Sequence, residues 1–141
     1  SPAYGYEAVQ AEAPEQASAM FLTRQEIEQK FRSAWPMLRR FRLVGSPMYM
    51  EFLSGRRQLR CAAWANPTFN RAGWRSPCYL RADRHWPTYR ELMERTDWDH
   101  LGPDQNLRCR HCMVHCGFEP AALLARKGLR DLLKMALWQL G

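Results

Sequence analysis

The sequence predicts an α+β domain, mainly helical, with a short cysteine-bearing β-hairpin. Three observations carry that expectation. Helix-start signals recur along the chain, the segment from Leu59 to Leu80 turns rich in Trp, Cys, Asn, Pro and Gly, and the last third ends in leucine-rich runs of helical period. The 141 residues suffice for one core and are too few for two large ones. With 46% apolar residues, 25% charged residues and six tryptophans, the composition is that of a folding chain.

Taken in order, "SPAYGYEAVQ" is partly alternating and reads as the end of a strand, and the small, acidic "AEAPEQAS" reads as a loop. Thr23 with Glu26 three residues on forms a capping box, and Leu22 with Ile27 has the spacing of a hydrophobic staple, so a helix starts there. Ile27, Phe31, Trp35 and Leu38 make its apolar stripe, and Pro36 is expected to kink or end it. "SPMYMEFLSG" reads as a short helix with Ser46 as N-cap, Pro47 in the first turn and Gly55 as the stop; its Met48, Tyr49, Phe52 and Leu53 are expected in the core. Between Leu59 and Leu80, two short extended arms joined by a long turn are expected. Thr88 and Glu91 form a second capping box, "TDWDHLGPDQN" is a loop, and two further helical runs, "EPAALLARKG" and "GLRDLLKMALWQL", are divided at Gly128.

Five cysteines are the chemically loaded residues: Cys61, Cys78, Cys109, Cys112 and Cys116. The start of the sequence has no basic n-region followed by an apolar h-region, so a cytoplasmic, reducing setting is the simplest expectation. In that setting, metal ligation is favoured over disulfides, and an odd count leaves one thiol over in any pairing scheme. Cys109 and Cys112 form C-x2-C, a spacing that lets two thiolates from one turn meet one ion or cluster, and Cys116 follows after three residues. Cys61 and Cys78 read C-x11-G-x4-C with Gly73 as the glycine. Four convergent thiolates suit Zn²⁺ or an iron–sulfur cluster, and spacing alone does not choose between them. Free structural thiols and a redox dithiol are the alternatives, the latter disfavoured because the pair follows a polar loop rather than a strand.

Other polar residues read more plainly. His111 and His115, four apart among the cysteines, are expected to orient ligands or to be exposed, and His85 and His100 lie in polar loops. Asp97 and Asp99 are expected to turn the chain after the preceding helix. The net charge of +7, from 21 Lys+Arg against 14 Asp+Glu, favours anionic partners, whereas no arginine block exceeds two residues, which speaks against a dedicated nucleic-acid arm. Along the final helix Leu129, Leu132, Leu133, Leu137 and Leu140 share one side with Arg126, Lys127, Arg130 and Lys134 around it. Core packing is the favoured expectation for that face, and a membrane interface the alternative.

"CAAWANPTFNRAGWRSPCYL", followed by "YRELMERTDW" and "CRHCMVHCGFEP", resembles the C-terminal domain of the hopanoid-biosynthesis radical SAM family, the adenosyl-hopene transferases. The resemblance runs from Ser1 to about Ala122 and is densest from Cys61 to Pro120; Phe118 departs from it, standing where the family has tyrosine. The cysteine spacing is also similar to the first half of the SPASM/twitch auxiliary-cluster motif. The resemblance implies an iron–sulfur cluster on the five cysteines, with zinc as the alternative. It implies that residues 1–22 are the end of a (β/α) barrel and a linker, and residues 23–141 an auxiliary domain with its metal-binding core at 59–120. Tyr4, Tyr6 and Glu7 would then line the substrate pocket. S-adenosylmethionine would bind only in the barrel, whose C-x3-C-x2-C motif is missing here, so the barrel is a partner in the same or a separate chain. The implied reaction adds a 5′-deoxyadenosyl radical to a hopanoid alkene, diploptene, a hydrophobic triterpenoid. Peripheral contact with the inner membrane is implied by that substrate. The competing expectations are a zinc-stabilised nucleic-acid-binding module and the auxiliary domain of another SPASM-type enzyme.

Overall fold

The structure is a computed structural model that describes residues 22–41, 43–125 and 128–140. It has the expected α+β, mainly helical architecture: five α-helices and one three-stranded antiparallel sheet among the described residues. The expected strand end at residues 1–10, with Tyr4, Tyr6 and Glu7, lies outside them.

Helix α1, Arg24–Leu38, begins as the capping box dictates. Thr23 accepts from the Glu26 N–H, and the Glu26 carboxylate accepts from the Thr23 N–H at 2.7 Å. Pro36 neither ends nor excludes the helix, which runs two residues further to Leu38. Helix α2, Pro47–Leu53, starts on Ser46, whose hydroxyl accepts from the Tyr49 N–H. All four of its expected core residues are buried. Tyr49 also ties α2 to the segment before the fourth helix, donating from its hydroxyl to the Met113 carbonyl at 2.8 Å.

The Leu59–Leu80 region departs from the expected pair of arms. Cys61 precedes a 3₁₀ turn at Ala63–Ala65 and is in no strand. The hairpin is β1, Phe69–Asn70, with β2, Gly73–Pro77, turning at Arg71–Ala72; β3, Ala82–Trp86, then pairs with β2 through a tight turn that holds Cys78. Prolines 67 and 77 and Asn66 shorten the arms, because proline has no N–H for a ladder and is confined to strand ends. Gly73 is required where it stands: its φ is +122°, and a Cβ there would meet the Trp86 carbonyl oxygen at 2.6 Å. Helix α3, Tyr89–Arg95, starts on its own cap, Thr88, and packs against this sheet.

Helix α4, His115–Leu124, starts earlier than the sequence pattern suggested and so carries Cys116 in its first turn. The core lies between α1, α2 and α4: Ile27, Met48, Phe52, Met113, Phe118 and Ala122 are almost fully buried, and Phe52 and Phe118 stack with ring centroids 4.4 Å apart. Phe118→Ala is expected to destabilise the fold by about 3–5 kcal/mol, as a chemical-denaturation curve would measure, because an aromatic ring is removed from a closed core.

Helix α5, Gly128–Leu140, reverses the favoured expectation that its leucines pack inward. Its polar side faces the body instead. Arg57 donates two hydrogen bonds to the buried Asp131 carboxylate at 2.7 and 3.0 Å, Lys134 pairs with Glu51, and the Trp138 indole donates to the Leu43 carbonyl. The leucines of the opposite side are left 50–86% exposed.

Candidate metal centre

Each cysteine is delivered by a different local device. Cys61 sits on the extended segment before the 3₁₀ turn, where the Ala62 N–H donates to the Gly117 carbonyl at 2.9 Å and fixes it against α4. Cys78 occupies the β2–β3 turn, Cys109 ends a second 3₁₀ turn at Leu107–Cys109, Cys112 follows with its N–H bonded to the Cys109 carbonyl, and Cys116 is in the first turn of α4. All five line one small cavity, of about 20 Å³, otherwise walled mainly by Leu80, Leu101, Val114 and Phe118. Segments as much as 55 positions apart in the chain thus meet at one point.

The sulfurs are embedded among N–H donors. The Arg81 backbone N–H points at Cys78 Sγ at 3.4 Å, the Ala63 N–H serves Cys61, the Val114 N–H serves Cys112, and Gly117 helps serve Cys116. Such bonds favour the thiolate. Arg81 adds a full charge: its buried guanidinium reaches Cys109 Sγ at 3.7 Å and Asp83 at 2.6 Å, and Asp83 also accepts from Arg108 at 3.0 Å. Burial works against the charged form of Arg81, and the Cys109 sulfur and Asp83 outweigh it.

Without a cation the same crowding opposes ionisation. Burial pushes the Cys61 thiol up to about 12 and the Cys116 thiol up to about 11, and raises Cys78 and Cys112 as well, with neighbouring thiolates adding to each effect. A raised folded-state value means that the metal-free fold keeps protons that the unfolded chain, titrating near ~8.5, has lost. This contribution to stability is present in full below about pH 8.5 and is lost as pH rises through about 11 to 12. Urea melts of the metal-free chain at stepped pH should therefore show a fall in midpoint beginning above about pH 8.5.

The donor set fits a soft metal. Five thiols with N–H donors on their sulfurs and an apolar wall suit Zn²⁺ or an iron–sulfur cluster, and a bound cation would offset the charge that burial resists. Among the described residues no three Cys, His, Asp or Glu side chains stand closed around a single ion. The five cysteines line one cavity without closing on a single ion.

Gly117 makes this convergence sterically admissible: a Cβ there would lie 2.5 Å from Cys61 Sγ. No pattern in the sequence marks Gly117 or Arg81, although each sits within three residues of a cysteine. His111 does not join the cavity; its Nδ1 accepts from the Arg24 N–H at 3.4 Å, at the start of α1. His115 is exposed at the start of α4. Asp97 turns the chain as expected, accepting from the His100 N–H and bonding its ring, and Asp99 lies 4.0 Å from Arg60 on the surface.

A family profile described as "Domain of unknown function (DUF3463)" matches residues 1–135. No curated protein and no solved structure matches the chain.

Proposed function

The chain belongs to the DUF3463 family, and on that premise we propose that it is the cluster-bearing auxiliary domain of a radical SAM transferase that joins a 5′-deoxyadenosyl group to a hopanoid alkene. The observation that carries this reading is the meeting of all five cysteines at one apolar cavity with N–H donors on their sulfurs. The choice of reaction rests on the resemblance of Cys61–Pro120 to the adenosyl-hopene transferases.

In this reading Cys61, Cys78, Cys109 and Cys112 hold an iron–sulfur cluster and Cys116 is the fifth thiol. When bound, such a cluster supplies one-electron transfer and a rigid cross-link. The chain's own residues do the rest. Arg81 balances thiolate charge at Cys109, Leu80, Leu101 and Phe118 exclude water, and the Ala62–Gly117 hydrogen bond locks the Cys61 segment to α4. The resemblance assigns Tyr4, Tyr6 and Glu7 to the substrate pocket and the binding of S-adenosylmethionine to the barrel, which is cytoplasmic and in the same or a separate chain.

Zinc in place of the cluster is the second reading, favoured by a cavity whose 20 Å³ is closer to ion size. The nucleic-acid variant of that reading draws on aromatic and arginine residues around the sheet, but Trp86 is already covered by Arg84 and Arg95, at 4.9 and 5.4 Å. The test is a Cys78→Ser variant of the domain assayed with its barrel. Retained cleavage of S-adenosylmethionine with loss of the adenosyl-hopanoid product is the expected result; undiminished product formation would overturn the assignment.

A further inference from the structure

Positive charge and exposed apolar surface coincide in two segments of this chain. Residues 29–50 contain five basic residues and no acidic one, and residues 120–141 contain four basic residues and a single acidic one, Asp131. Asp131 is buried and bonded to Arg57. These two stretches hold enough excess positive charge to account for the chain's entire +7.

The same stretches carry the exposed leucine face of α5 and the exposed Phe41 and Val44, the latter 98% accessible. The loop that holds Phe41 and Val44 also presents Arg39 and Arg40 to solvent, and Arg130 flanks the leucine face. Trp138 links the two regions through its bond to Leu43, and an apolar cleft of about 210 Å³ opens between Trp35, Phe41, Met50 and Trp138 with Arg39 at its edge. Such a contiguous exposed leucine face is the mark of an interaction site.

We infer that this face binds an anionic lipid surface, with α5 lying in the plane of the headgroups. Lipid is favoured over a second copy by charge: two copies would bring the same basic segments together, whereas an anionic leaflet complements them. At 13 residues α5 is too short to cross a bilayer, and among the described residues no helix is long and apolar enough to do so. Its geometry is that of an interfacial helix, apolar on one side and held by ion pairs on the other. The arrangement is independent of the cysteines.

Co-sedimentation of the chain with phosphatidylglycerol-containing and pure phosphatidylcholine vesicles tests this. Binding is expected to the anionic vesicles only, weakening with added salt. Leu133→Gln/Leu137→Gln should lower it at least about tenfold, and Arg39→Gln/Arg40→Gln by about 10- to 30-fold. All four positions are exposed, so circular dichroism should be unchanged and loss of fold is separable from loss of binding. No binding, equal binding to both vesicle types, insensitivity to both double variants, or a solution dimer that Leu133→Gln/Leu137→Gln dissociates would each overturn the inference.

Discussion

Cys112→Ser is expected to abolish metal retention while leaving the metal-free fold nearly intact. Cys112 lines the shared cavity, its sulfur takes the Val114 N–H, and it is electrostatically coupled to Cys61, Cys116 and Cys78. Serine preserves the size of the side chain but replaces a soft ligand with a hydroxyl that does not ionise at neutral pH, so of the proposed ligands only Cys61, Cys78 and Cys109 keep their thiolates, and such a set holds a soft metal far more weakly. The reconstituted variant should retain less than about a tenth of the wild-type metal. Its metal-dependent gain in melting temperature should vanish, because binding free energy in such a site is folding free energy. The metal-free stabilities of the two proteins should agree within about 1–2 kcal/mol. Cys116→Ser should behave differently and keep its metal, since Cys116 lies outside the proposed ligand set of Cys61, Cys78, Cys109 and Cys112. A Cys112→Ser chain that loads like wild type would remove Cys112 from the ligand set.

Gly117→Ala is expected to have a comparable effect on metal through a different route. The added methyl group would occupy a position 2.5 Å from Cys61 Sγ, which no packed structure tolerates. Cys61 can swing away, so the fold should lose only about 1–3 kcal/mol. The thiol then no longer faces the cavity. Gly128→Ala is the control: a Cβ there meets nothing within 4 Å, and its φ of +71° should cost about 1 kcal/mol without touching the metal. Metal affinity by chelator competition separates the two substitutions. Equal affinities would mean that the Cys61 sulfur does not need the space that Gly117 leaves.

Local signals in the sequence resolve wherever the chain's neighbours decide the outcome. Thr23 with Glu26, Thr88 with Glu91, and Ser46 with Pro47 each name a helix start that the structure has, because a cap is satisfied within one turn. Leucine periodicity in α5 is also local, and it fixes the existence of an apolar face without saying what covers it. Its orientation is set by Arg57–Asp131 and Glu51–Lys134, between residues 74 and 83 positions apart, which no window of sequence contains. The five cysteines were legible as a group from composition and spacing. Their common cavity depends on long-range contacts such as Ala62–Gly117, and the roles of Arg81 and Gly117 become visible only once those segments are side by side. Strand β3, which places His85 in a strand and not in the expected polar loop, carries no sequence signal, because its polar, largely exposed "ADRHW" lacks an apolar alternation to mark it.

The most direct measurement is the iron and acid-labile sulfide content of the chain after anaerobic reconstitution. A cluster held by these cysteines predicts about four iron and four sulfide per chain, with broad absorbance near ~400 nm that disappears in Cys112→Ser. One zinc per chain without sulfide, or no metal at all, would contradict it.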